Sequence, residues 1–156
     1  MTTTPTSITP TLEQLAYAPQ LILIRTLLEK HIPLFPHGKC DIASHVVHAI
    51  TGLKVECGFH IQKRTPDDPD PSYRYHHWNH DEKAGLYIDL TRDQFDCHPW
   101  YYHTINILPS ETNLYLPFPI ATTGIITIHP LISSDTQRII DLYNQESQKR
   151  KNKARK

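Results

Sequence analysis

Gly52 separates two hydrophobic rhythms, and this switch constrains the fold more than any other feature of the chain. Before it, Ile42, Ala43, Val46, Val47, Ala49 and Ile50 recur at three- and four-residue spacing, the pattern of a helix with a buried face. After it, Leu53, Val55, Cys57, Phe59 and Ile61 alternate with Lys54, Glu56, Gly58 and His60, the pattern of a half-buried strand. A glycine between them is a natural helix stop. The chain therefore passes from helix to sheet within one residue.

The flanking segments extend this order. Thr11 and Gln14 have capping-box spacing, and a helical stretch follows, interrupted near Pro19 and running to about Lys30. Pro33 and Pro36 force a loop that ends at Gly38. Beyond the first strand, residues 63–72 (KRTPDDPDPS) read as a polar surface loop. YRYHHWNH and LYIDLT read as a hairpin around DEKAG, with further strands near 101–108, 113–118 and 124–129. A last helix begins near Ser133 or Ser134, where Ser134 and Gln137 have capping-box spacing, and Ile139, Ile140 and Tyr143 form its apolar side. Helices first, then a strand meander, then one helix, is an α+β pattern with an antiparallel sheet.

At 156 residues the chain suits one domain. Residues 1–10 read as a disordered Thr/Pro leader, 11–148 as the domain and 149–156 as a basic tail. No apolar run of about 18 residues is present, so no membrane span is expected. The start, MTTTPTSITPT, lacks a basic and apolar signal pattern, which favours cytoplasmic synthesis and is compatible with export as an effector by another route. Six of the sixteen basic side chains fall in KRKNKARK, so the remainder carries ten against sixteen acidic ones. Such a tail suits either solvation or an anionic partner.

Three cysteines, Cys40, Cys57 and Cys97, argue against a disulfide framework and for thiols. Cys57 falls on the apolar side of its strand and reads as packing. Cys40 opens a helix directly after a Pro/Gly loop. Unpaired N–H groups and the dipole at a helix start favour a thiolate, and the same groups can hold an oxyanion. An imidazole must move the proton, and a third group must orient it. His76, His77 and Asp89 are placed to do so. If His76 pairs with Asp89, residues 81–84 form a four-residue loop; if His77 does, the loop has three residues. Both are allowed hairpins, and either puts one histidine across from Asp89 on one face.

G-K-C-D-I-A-S (38–44), H-H-W (76–78) and I-D-L-T-R-D-Q-F (88–95) resemble, in order, the blocks G-x-C-x-x-A-S, H-x-W and I-D-x-T-x-x-Q-F of small bacterial papain/transglutaminase-like proteins. The resemblance implies a papain/transglutaminase-like fold and a Cys–His–Asp triad of Cys40, His76 and Asp89, with His77 in reserve as the base. It implies a thiol-dependent amide hydrolase or acyl transferase, whether protease, glutamine deamidase or transglutaminase, acting on a protein or peptide without a cofactor. Residues 31–39 lack the Gln that papain-type enzymes often carry before the nucleophile, which leaves the Cys40 N–H with His37 as candidate oxyanion donors. The competing reading is an inactive scaffold of the same fold that binds a protein or nucleic acid.

Trp78 reads as a core or pocket-wall aromatic, Gln94 and Phe95 as local structure, and Ser44 as bonded within its helix. Eleven histidines raise a metal alternative through His45 and His48, His76 and His80, or Cys97 and His98. None has tight ligand spacing, and on a strand His76 and His80 stand about 13 Å apart; no metal is expected.

Overall fold

The structure, a computed structural model, describes residues 9–63, 67–95, 105–118 and 133–155. The elements, in order, are α1 (Ala18–His31), α2 (Cys40–Thr51), β1 (Lys54–Gln62), β2 (Ser72–Asp81), β3 (Leu86–Asp89), β4 (Asn106–Pro109), β5 (Tyr115–Pro117) and α3 (Ser134–Ala154). The strands form one antiparallel sheet in the order β4-β3-β2-β1-β5. The three helices touch one another, and α2 lies against β2. This is an α+β architecture of a helical layer on an antiparallel sheet. Cys97, His98 and the strand expected near 124–129 lie outside the described residues.

The main core forms between the layers. Leu21, Ile24 and Leu28 of α1, Val46 and Val47 of α2, and Ile139 of α3 meet Ile88 of β3, and all are fully buried. Burying side chains of this size stabilises the fold by about 1.5–3 kcal/mol each. A polar bond fixes where α2 sits, because buried Asn79 of β2 donates from Nδ2 to the Ser44 carbonyl of α2 at 2.9 Å. Ser44 Oγ itself donates within the helix to the Asp41 carbonyl. Gly52 ends α2 in the left-handed conformation, φ 78°.

Several local expectations are corrected. The 12–14 segment is a short 3-10 turn, separate from α1, with Pro19 in the first turn of α1. Ala49 is exposed on α2. Ser133, not Ser134, caps α3, its hydroxyl accepting from the Thr136 N–H at 3.1 Å. The basic run is not a separate tail, for α3 continues to Ala154. In the hairpin, Asn79 pairs with Ile88 and Asp81 with Leu86, so the loop is 82–85 and neither expected register occurs. Two anchors set this register. Ile88 is buried in the core beside the Asn79–Ser44 bond, and Asp81 Oδ1 accepts from the Ala84 N–H to close the turn.

β1 departs from its simple alternation. Gly58 and His60, the polar positions, are buried, while Phe59 is exposed. The cause is β5, which pairs with β1 at Gly58–His60. A Cβ built on Gly58 would fall 2.0 Å from the Leu116 carbonyl oxygen. Gly58→Ala should therefore lower stability by about 1–3 kcal/mol through overpacking of backbone against backbone, measured by chemical denaturation. A loss under about 0.5 kcal/mol, the ordinary range for surface substitutions, would show that β5 is free to move away.

Candidate functional site

Asp89 ends β3 with its carboxylate buried, and four bonds converge on it. The Thr91 N–H (2.8 Å) and hydroxyl (3.1 Å) donate to Oδ1. The Tyr115 hydroxyl (2.7 Å) and His76 Nε2 (2.7 Å) donate to Oδ2. An isolated buried carboxylate would cost several kcal/mol, and here every lone pair has a donor. Burial pushes the Asp89 carboxyl up, yet the charge and hydrogen bond of His76, with Tyr115 and Thr91, bring it down to about 2. Burial likewise pushes the His76 imidazole down, but the Asp89 charge and hydrogen bond, with Cys40, lift it to about 9.

His76 meets Asp89 along a diagonal. By the observed register Asp89 stands level with Trp78, and His76, two residues earlier, shares their face. Adjacent side chains alternate across a strand, so His77 points to the other face, with Asn79 and α2. The expectation that one histidine shares the Asp89 face holds, although the expected register does not.

The Cys40 thiol occupies the first position of α2. Its N-cap, Lys39, makes no side-chain cap bond, and the first helical bond runs from the Ala43 N–H to the Lys39 carbonyl. The N–H groups of the first turn are thus uncapped by a side chain. Sγ lies 3.8 Å from His77 Nδ1. Burial pushes the thiol up, but hydrogen bonding from His76 and from His77, with the His76 charge, brings it down to about 6. His76 Nδ1 has no partner in full hydrogen-bond geometry. The two histidines divide the features wanted of a base. His76 has the carboxylate, and His77 has the tighter contact with sulfur, while its Nε2 lies 3.4 Å from the Tyr75 hydroxyl.

The 88–95 block has a physical role at each position. Thr91 holds Asp89, as above. The 3-10 turn Arg92–Gln94 is fastened to α1, where Arg25 donates to the Leu90 carbonyl and pairs with Asp93 at 2.6 Å. Gln94 Oε1 accepts from the Gly38 N–H at 2.9 Å, tying this turn to the loop before Cys40. Phe95 stacks on His60 with centroids 4.7 Å apart and sets its edge against His76 at 4.8 Å. Trp78 is buried in an aromatic cluster with Tyr87 and Tyr115.

His37 does not join the site through its side chain, which is exposed; only its N–H is engaged, by the Leu34 carbonyl. Cys57 is half-buried, and burial raises its thiol, the opposite of Cys40. Among the described residues no three His, Cys, Asp or Glu side chains converge on a metal position. His45 Nδ1 and His48 Nδ1 are each bonded to a backbone carbonyl, and His80 Nδ1 to Glu56. Sequence reasoning missed Tyr115, because nothing local to β5 marks a carboxylate partner 26 positions away. It also missed His60, buried and with both ring nitrogens unpartnered, which burial lowers to about 4.

No described helix is long and apolar enough to cross a membrane. No family model, curated protein or solved structure matches the chain.

The ion pair carries a pH signature. The His76 contribution is complete below its unfolded value of 6.5 and is lost as pH rises through about 9. The Asp89 contribution is complete above its unfolded value of 3.8 and is lost as pH falls through about 2. Asp89→Asn should therefore cost most between these unfolded values, on the order of 3 kcal/mol, by denaturation across pH. In the same variant the His76 imidazole, followed by NMR, should titrate well below its wild-type value of about 9. An unchanged titration would mean that Asp89 does not set the charge of His76.

Proposed function

We propose that this chain is a papain/transglutaminase-like thiol enzyme acting on amide carbonyls, with Cys40 as nucleophile, His76 as acid–base and Asp89 as the group that orients it. The observations that carry the reading are the thiol at an uncapped helix start, 3.8 Å from the His77 ring and lowered by both His76 and His77, and the fully satisfied buried carboxylate behind His76.

Between pH of about 6 and about 9 the resting pair is thiolate and imidazolium. The Cys40 sulfur adds to the carboxamide carbon, and the carbonyl π pair moves to oxygen. The α2 first-turn N–H groups face that developing charge, the role in which such donors contribute most. Collapse of the intermediate expels the amine, which takes its proton from His76 Nδ1, while Nε2–H stays on Asp89. The thioester then passes its acyl group to water or to an amine, with His76 as base. His77 holds the sulfur through its ring contact and is not needed as proton carrier.

The test uses intact mass of candidate protein substrates after exposure to the enzyme. A gain of about 1 Da marks deamidation, a cleaved chain marks proteolysis and a joined pair marks transglutamination; Cys40→Ala should abolish whichever is seen. His76→Ala should lower the rate by about 10²–10⁴-fold, the span of general acid–base catalysis. His77→Ala should lower it by about tenfold or less, on the same scale, with a bell-shaped pH profile retained. Activity that survives in Cys40→Ala contradicts the proposal, and a larger loss in His77→Ala than in His76→Ala reassigns the base.

A further inference from the structure

Among the described residues, the sheet face that carries His77 is covered over only part of its area. The α2 helix lies against Asn79 and the core around Ile88, and its first residue, Cys40, stands over His77. By the strand register, Tyr75, Tyr73, Phe59 and Leu116 share that face. They are the exposed part of it, at 52%, 55%, 37% and 44% of their full accessibility. The helical layer thus stops at the nucleophile, and the bare half of the sheet begins there.

This bare half is one connected aromatic surface. Tyr75 meets His77 edge to face, with centroids 5.1 Å apart. Tyr75 and Phe118 are 5.9 Å apart, Phe118 and Phe59 are 5.1 Å apart, and Phe59 and Tyr73 are 6.3 Å apart. No Lys or Arg of β1 or β2 stands on it, since Arg74 pairs with His60 and Lys54 with His80 on the opposite face. A surface for phosphate-bearing partners would carry such cations. Contiguous exposed apolar area marks a place where something binds.

Resting on the thiol-enzyme reading above, we propose that this aromatic face is the acyl-side substrate platform. It takes an extended peptide segment with a large apolar or aromatic side chain beside the reacting carbonyl. Continuity selects this occupant. Tyr75 reaches both the patch and the His77 ring, so a segment lying on Phe59 and Leu116 and running past Tyr75 delivers its carbonyl to Cys40.

The probes are iodoacetamide, which reports thiol reactivity alone, and two peptidyl reagents, N-acetyl-phenylalanyl and N-acetyl-glycyl chloromethyl ketone. Rates of Cys40 modification in the full chain are followed by intact mass and peptide mapping. The phenylalanyl reagent should react about tenfold faster than the glycyl one, a discrimination within reach of an apolar pocket. Phe59→Ser and Leu116→Ser should each reduce that ratio towards one and leave the iodoacetamide rate at wild-type level. Equal rates for the two reagents, or a preference that survives both substitutions, would overturn the proposal. So would a dimer in solution that Phe59→Ser dissociates, without any reagent preference, since the patch would then be a self-association surface. If iodoacetamide does not select Cys40 over the other cysteines, the thiol-enzyme reading itself fails and the platform falls with it.

Discussion

The buried charge of Asp89 organises this protein. A carboxylate withdrawn from water must be matched by donors or it unfolds its surroundings. Here the matching donors come from the same turn (Thr91), from β2 (His76) and from β5 (Tyr115). The requirement therefore joins three segments distant in sequence, and it fixes which ring nitrogen of His76 is committed and which faces the thiol. The chemistry proposed for Cys40 is a consequence of satisfying one anion.

A second set of contacts positions Cys40 relative to that anion's histidine. Asn79 holds α2 through Ser44, so the start of α2 stands at a fixed height over β2. Gln94 holds Gly38, so the loop before Cys40 is tied to the turn after Asp89. Arg25 of α1 holds that turn in place. The first two connections link a residue near Cys40 to a residue near the carboxylate. Precision of this kind is what the proposed catalytic pair needs.

Much of this order was legible in the sequence because it rests on local rules. The period change at Gly52 gave α2 and β1, and the Pro/Gly loop gave the position of Cys40 at a helix start. That one of the adjacent pair His76 and His77 shares the Asp89 face followed from the two-residue period of strands, but which one did not. The register did not follow, since it depends on Asn79 finding Ser44 and on Ile88 finding the core, contacts that span tens of residues. The burial of Gly58 and His60 was illegible for the same reason. It is caused by β5, whose backbone approaches too closely for any side chain at residue 58. Tyr115 had no local mark, because a tyrosine that hydrogen-bonds a carboxylate looks like one that fills a core.

The central claim is that Cys40 is held as a thiolate by the paired histidines, with Asp89 behind His76. The most direct measurement is the ultraviolet thiolate absorbance of the native protein across pH, taken as the difference from Cys40→Ala. The account predicts a thiolate signal with a midpoint near pH 6. A midpoint at about 8.5 or above, that of an ordinary cysteine, would contradict it.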